Sequence, residues 1–146
     1  DISDGYFSNC YWLKDIELAD GCSKIGREAF GGCSCISSMV IPDSVSEIGE
    51  RIFERCDSLK NLTLPFVGRN EQEIKDISYL FASSDNCALR NIVITKSDKL
   101  ALGMFEFASL LKTIRFGCPV AGIPDKCFYG LSHLRTYIIQ ISTMVT

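Results

Sequence analysis

The sequence predicts an α/β fold: a solenoid of about six coils, each about 23 residues long, with a stacked parallel β-sheet and short helical or 3₁₀ turns. Three observations support this fold class. Apolar residues recur at a spacing of 23 residues, each repeat ends in a strand-like alternation, and prolines follow two of these strands. A unit of this length cannot bury its own apolar face, so neighbouring coils must stack to close one continuous core.

The repeat is clearest in three units that begin at Ile2, Ile25 and Ile48. Apolar residues follow each of these at +5, +8, +11, +14 and +16, with phenylalanine always at +5 and cysteine always at +8. The same frame returns from Leu100 and Ile123. The first three sets are Phe7, Cys10, Leu13, Ile16 and Leu18; Phe30, Cys33, Ile36, Met39 and Ile41; and Phe53, Cys56, Leu59, Leu62 and Leu64.

One irregular unit lies between these two groups. Its last apolar positions are Leu89, Ile92 and Ile94, and Phe81 fits the phenylalanine position through a slightly longer link. The additional length, "FVGRNEQEIKDI" at residues 66–77, predicts a loop inserted into the array. We therefore expect residues 1–146 to form a single repeat domain. Since both ends fall within the periodic pattern without a polar cap, we also expect a longer array or end-to-end self-association.

Each repeat contains recognisable local elements. In "LKNLTLP", Leu62 and Leu64 alternate with Thr63 as in a β-strand whose one face is buried. Pro65 ends this strand, because proline cannot donate to a ladder of hydrogen bonds. The segments "GREAF" and "GERIF" predict a single helical or 3₁₀ turn, and "SVSEIG" predicts a second short strand.

The stretch from Ile25 to Leu59, "IGREAFGGCSCISSMVIPDSVSEIGERIFERCDSL", resembles the BspA-type leucine-rich repeats. The irregular unit is similar to an insertion-bearing repeat found in surface arrays of gut bacteria. This resemblance implies a right-handed solenoid at a cell surface or in the extracellular space. It also implies adhesion to, or recognition of, a protein or glycan partner. The family carries no catalytic motif, so the resemblance implies neither an enzyme nor a cofactor.

Composition excludes several other classes of function. The net charge of −3 gives no basic footprint for nucleic acid. No apolar run reaches the roughly 18 residues that a membrane span needs. The sequence contains no phosphate-binding glycine loop, dinucleotide fingerprint or zinc-protease motif.

The eight cysteines are ambiguous from sequence. Ala108 and Leu131 replace cysteine at +8 in later units, and Val45 and Val120 occupy the position equivalent to Cys22. Both positions are therefore predicted to hold thiols as small apolar core groups. Cys33 and Cys35 make only half of a zinc site, and His133 is the single histidine, so a metal or redox module is the weaker alternative. A disulfide stays open for the cysteines outside these two positions, which are Cys35, Cys87, Cys118 and Cys127.

A basic residue occupies the +12 position in five of six units, which predicts a cationic column on the exposed sheet. Flanking polar and basic residues complete a candidate binding face for an anionic or glycan partner. The alternatives are that these cations only keep the surface solvated, or that the array is a structural spacer for another module. The candidate face comprises Lys14, Lys60, Arg90, Lys112, Arg135, Asn61, Thr63, Asn91 and Arg115, and the candidate binding loop comprises Arg69, Asn70 and Glu71.

Overall fold

The computed structural model describes residues 1–83 and 87–139 and confirms the predicted solenoid with stacked parallel strands. The strands are β1 Lys24–Ile25, β2 Ser38–Val40, β3 Glu47–Ile48, β4 Asn61–Leu64, β5 Asn91–Ile94, β6 Thr113–Phe116 and β7 Thr136–Ile138. The main sheet has five strands in the order β2-β4-β5-β6-β7, and a second sheet pairs β1 with β3. Residues 84–86 and 140–146, which the single-domain prediction includes, lie outside the described residues.

The 23-residue frame is the register of the main sheet. Met39 pairs with Leu62, and Ile114 pairs with Tyr137, so that equivalent positions of successive repeats lie side by side. The irregular unit keeps this register despite its extra length. The predicted strand in "SVSEIG" also forms, as β3, and it pairs in parallel with β1.

Phenylalanine side chains stack through the core in a column. The ring of Phe30 lies 5.5 Å from that of Phe7 and 6.0 Å from that of Phe53, measured between ring centroids. Phe53 in turn lies 5.7 Å from Phe81, which confirms that Phe81 fills the phenylalanine position of the irregular unit. Phe30, Phe53 and Phe81 are fully buried, so the column joins four successive coils through apolar contact.

The predicted helical turns at "GREAF" and "GERIF" are wrong in detail, because these segments are β-turns. The Ala29 N–H donates to the Gly26 carbonyl at 3.3 Å, which closes a four-residue turn. Glu28 within it has a φ of 54°, and the equivalent Arg51 has a φ of 58°. Positive φ is incompatible with a right-handed helix. Within the described residues, the one α-helix is α1, Ser78–Phe81.

The first coil, residues 1–22, lacks the strand that the repeat predicts. Ile16 and Leu18 still pack against the core, but the segment 13–18 has no strand partner in β2. Its outward residues are Asp15 and Glu17, and aspartate in particular is disfavoured in strands. The main sheet therefore starts at the second coil.

The predicted insertion at 66–77 is shorter than the sequence suggests. Phe66 and Ile77, at its two ends, are fully buried members of the core. The exposed loop lies between them and is closed by an antiparallel bridge between Gly68 and Ile74. A Cβ atom at Gly68 would lie 2.1 Å from the carbonyl oxygen of Glu73, so the close approach of the two loop arms requires glycine here.

Candidate binding face on the exposed sheet

The backbone of four predicted basic residues forms one continuous ladder where the strands begin. The Arg90 N–H donates to the Lys60 carbonyl at 2.9 Å, and the Lys112 N–H donates to the Arg90 carbonyl at 2.7 Å. The Arg135 N–H continues the ladder to Lys112 at 2.9 Å. These four residues therefore occupy one column across successive coils, which we call the basic column.

Two of the five predicted cations differ from the expectation of a uniform exposed row. Arg90 is half-buried, and its guanidinium Nη1 donates to the carbonyl of Ala88 at 2.6 Å. Lys14 is exposed, but it lies in the first coil, where the strand is not formed. The freely projecting positive charge of the basic column thus comes from Lys60, Lys112 and Arg135, which are all exposed.

A hydrogen-bonded row of short polar side chains, which we call the polar ladder, runs beside the basic column. The amide of Asn61 donates from Nδ2 to Ser38 Oγ at 3.3 Å, and Asn91 Nδ2 donates to Asn61 Oδ1 at 2.7 Å. The Thr113 hydroxyl then donates to Asn91 Oδ1 at 2.6 Å. These bonds fix the orientation of both amides on the outer face of the sheet.

Sequence reasoning selected Asn61 and Asn91 but missed that they bond to each other. The signal that was available is that position +13 holds only short polar residues in all five units of the main sheet. The remaining predicted members of the face lie on neighbouring strands, with Arg115 exposed on β6 and Thr63 half-buried on β4.

The candidate loop residues are engaged in the structure of the loop itself. The Asn70 side chain accepts hydrogen bonds from the backbone N–H groups of Gln72 and Glu73, both at 2.9 Å. Glu71 forms an ion pair with Lys96 at 2.7 Å. Arg69 is the exposed member of the three, so the loop offers one projecting cation rather than three available polar groups.

All eight cysteines are free thiols in the structure. Two at the repeated +8 position make the same contact: Cys33 Sγ donates to the Phe7 carbonyl and Cys56 Sγ donates to the Phe30 carbonyl, each at 3.1 Å. Burial raises the pKa of Cys56 to about 12. A thiol with such a pKa is almost entirely protonated near neutral pH, whereas the thiolate is the nucleophilic form. Cys35, by contrast, is exposed.

A metal site would require a cluster of ligand side chains. Among residues 1–83 and 87–139 there is no group of three or more histidine, cysteine, aspartate or glutamate side chains that could hold a metal ion. His133 is exposed, and its Nδ1 lies 3.4 Å from the carbonyl of Ser109. The same described residues contain no helix long and apolar enough to cross a membrane.

Parallel strands that stack from coil to coil, with apolar residues in a 23-residue frame, define the chain as a leucine-rich-repeat solenoid. The family model described as BspA type leucine rich repeat region matches in six copies over residues 1–135, so the chain belongs to this family. This fold and family are typically non-catalytic scaffolds.

Among solved structures, the chain is similar to a leucine-rich repeat protein from Bacteroides ovatus, with 23% sequence identity and a TM-score of 0.41. That match covers 96% of this chain and 52% of the other protein, so the chain spans about half of that protein's length. No curated protein sequence matches the chain.

Proposed function

We propose that this chain is a non-catalytic binding module of a cell-surface or extracellular protein and that its exposed sheet face recognises an anionic protein or glycan partner. The observation that carries the proposal is the pairing of the basic column with the polar ladder on one face. Family membership supports an interaction role, because stacked repeats present extended binding surfaces. BspA-type repeat proteins are usually surface or extracellular proteins.

The face combines the two features that a polar partner needs. The exposed cations Lys60, Lys112 and Arg135 supply a long-range attraction for negative charge. The polar ladder holds its amide and hydroxyl groups in a fixed orientation. Binding a partner therefore costs less side-chain conformational entropy on this face. The chain as a whole has a net charge of −3, so the positive charge of this column is opposite in sign to the net charge.

The proposal is tested by screening the chain against arrays of sulfated and carboxylated glycans and against acidic proteins. The triple variant Lys60→Glu, Lys112→Glu and Arg135→Glu should reduce binding by at least about tenfold at low ionic strength. Wild-type binding should itself weaken as salt is added, because the attraction is screened.

A matched control carries the same change in net charge away from the face, at Arg55→Glu, Lys99→Glu and Lys126→Glu, which are all exposed. This control should retain binding. Equal loss in both triple variants would indicate a nonspecific effect of net charge and would contradict a dedicated face. If no partner binds the intact chain, the structural-spacer alternative is the better description.

A further inference from the structure

The ladder of hydrogen bonds between neighbouring coils is interrupted between the first coil and β2. On one side of the interruption, the Phe7 N–H donates to the Ala29 carbonyl at 2.8 Å. On the other side, the Gly21 N–H donates to Ser44 Oγ at 3.1 Å. Between these two joints, all within described residues 1–83, the segment 14–20 makes no backbone hydrogen bond to β2. The first coil is thus held at both ends and separated from the sheet in the middle.

Every later pair of coils in the main sheet is joined at the equivalent place. The Ile41 N–H donates to the Thr63 carbonyl at 2.8 Å, and the Thr95 N–H donates to the Leu64 carbonyl at 2.9 Å. Successive residues of a parallel strand direct their backbone groups to opposite neighbours. Since Ile41 faces β4, the N–H and C=O groups of Ser38 and Val40 face the first coil and form an unpaired strand edge.

This interruption forms an open cleft of about 920 Å³ between the first coil and the sheet. Val40 contributes an apolar side chain that is 61% exposed. Carboxylates surround it: Asp15, Glu17 and Asp20 from the first coil, and Asp43 from the loop after β2. Asp43 accepts a hydrogen bond from the Thr95 hydroxyl, which holds one carboxylate at the side of the cleft.

The carboxylates explain why the first coil does not close the cleft itself. With the 23-residue register, Asp15 and Glu17 would lie opposite Ser38 and Val40. That pairing would bring their charges towards Asp43, and charged side chains on a strand edge disfavour pairing. The same charges that keep the first coil apart make the cleft negative, whereas the basic column of the proposed binding face is positive.

We propose that this cleft binds an extended basic segment of a partner protein, which adds as a strand to the outer edge of β2. An unpaired strand edge requires an extended chain, since only that conformation presents N–H and C=O groups at matching spacing. The acidic side chains of the cleft select lysine or arginine on the added strand by charge complementarity. This site adjoins the sheet face proposed above, with Ser38 and Thr63 at the border between them, but takes a partner of opposite charge.

The test uses a fluorescently labelled short peptide in which lysine alternates with valine, and measures its affinity for the intact chain by anisotropy. The double variant Asp15→Lys and Glu17→Lys should weaken binding by about tenfold or more. The matched control, Glu106→Lys with Asp125→Lys, makes the same charge change at exposed positions outside the cleft and should bind normally. Equal weakening by both variants would overturn the proposal, because it would show attraction to net charge only.

Two further peptides distinguish strand addition from simple charge attraction. Neither test requires a substituted form of the chain to fold. The same peptide with every backbone amide N-methylated keeps its charge but loses all of its N–H donors, so it should bind much more weakly. A glutamate-valine peptide should not bind. Unchanged affinity of the methylated peptide would overturn strand addition.

Amide hydrogen exchange gives the decisive local readout. In the free chain the Val40 N–H should exchange quickly, and the lysine-valine peptide should slow its exchange. A Val40 N–H that is already protected in the free chain would show that the first coil, or a second copy of the chain, fills the edge. That outcome would contradict an available cleft. It would leave the proposed sheet-face function untouched.

Discussion

Asn91 donates a hydrogen bond from its side-chain Nδ2 to Oδ1 of Asn61 at 2.7 Å, across the paired strands β4 and β5. The two residues are 30 positions apart in the sequence, because the irregular unit separates them. Their contact shows that the insertion leaves the register of the sheet unchanged. It also makes the exposed face a connected hydrogen-bonded surface rather than a set of independent side chains.

The variant Asn91→Ala should lower the free energy of unfolding by about 1–2 kcal/mol, because it removes the bonds to both Asn61 and Thr113. Urea unfolding measures this change. A double-mutant cycle with Asn61→Ala should show a coupling energy of about 0.5–1 kcal/mol. Thr136→Ala, at the exposed end of the same row, serves as the control with a smaller effect. Strict additivity of the two asparagine variants would contradict a functioning ladder.

The frame of the fold was predictable from sequence because the apolar residues obey one strict spacing. Position +5 is an unbroken series of phenylalanines in the assigned units, and stacking then forces equivalent positions into register. The turns were not predictable in the same way. Glu28 and Arg51 are ordinary helix-forming residues by composition, yet the tight path between strands requires a positive φ at both positions.

The candidate face was predictable only in outline. The spacing of basic residues placed Lys60, Lys112 and Arg135 in one column, as the structure shows. It did not reveal that the Arg90 guanidinium turns back to a carbonyl of its own chain. Nor did it reveal the cleft beside β2, because the first coil keeps the apolar frame at Ile16 and Leu18 while failing to pair as a strand.

Buried thiols should make the fold sensitive to alkaline pH. Burial raises the pKa of Cys56 to about 12 and that of Cys87 and Cys127 to about 11, from an ordinary value of 9.0. Below about pH 9 both folded and unfolded chains keep these protons, so this contribution to stability is fully present. As pH rises from 9 towards 11 and 12, the unfolded state releases protons that the folded state retains. Stability must therefore fall across this window.

Urea unfolding at several pH values between about 8 and 11 measures this decline. The variant Cys56→Ala should reduce its slope, since one of the three thiols no longer titrates. Cys35→Ala, at an exposed cysteine, is the matched control for the loss of a thiol. A stability that stays constant over the whole window would show that these thiols are not held protonated by burial.

One turn position has a positive φ in five units. Some of these units have glycine at this position and others have a residue with a side chain. Gly103 has a φ of 58°, close to the 57° of the equivalent Lys126. Gly103→Ala should therefore lower the free energy of unfolding by about 1 kcal/mol, because a Cβ atom is strained in this conformation. Gly122→Ala is the control, since no atom lies within 4 Å of the added Cβ. Thermal unfolding of both variants should place Gly103→Ala clearly below the wild type, and equal midpoints would contradict the assigned strain.

The phenylalanine column should transmit cooperativity along the solenoid. Phe53 is fully buried and stacks between Phe30 at 6.0 Å and Phe81 at 5.7 Å. Phe53→Ala should cost about 3–5 kcal/mol through lost apolar contact and the cavity left behind. Because each coil contacts only its neighbours, the loss falls on the two interfaces that the third coil makes within the stack. The two parts of the solenoid should then unfold separately.

Calorimetry together with hydrogen exchange resolves this outcome. Phe53→Ala should split the single transition of the wild type into two, with faster exchange in the first two coils than in β5 and β6. Phe107→Ala, at a partly exposed ring of the fifth coil, should leave one transition with a small loss of stability. A Phe53→Ala chain that still unfolds in one cooperative step, with a loss below about 1 kcal/mol, would show that the column does not carry the coupling between coils.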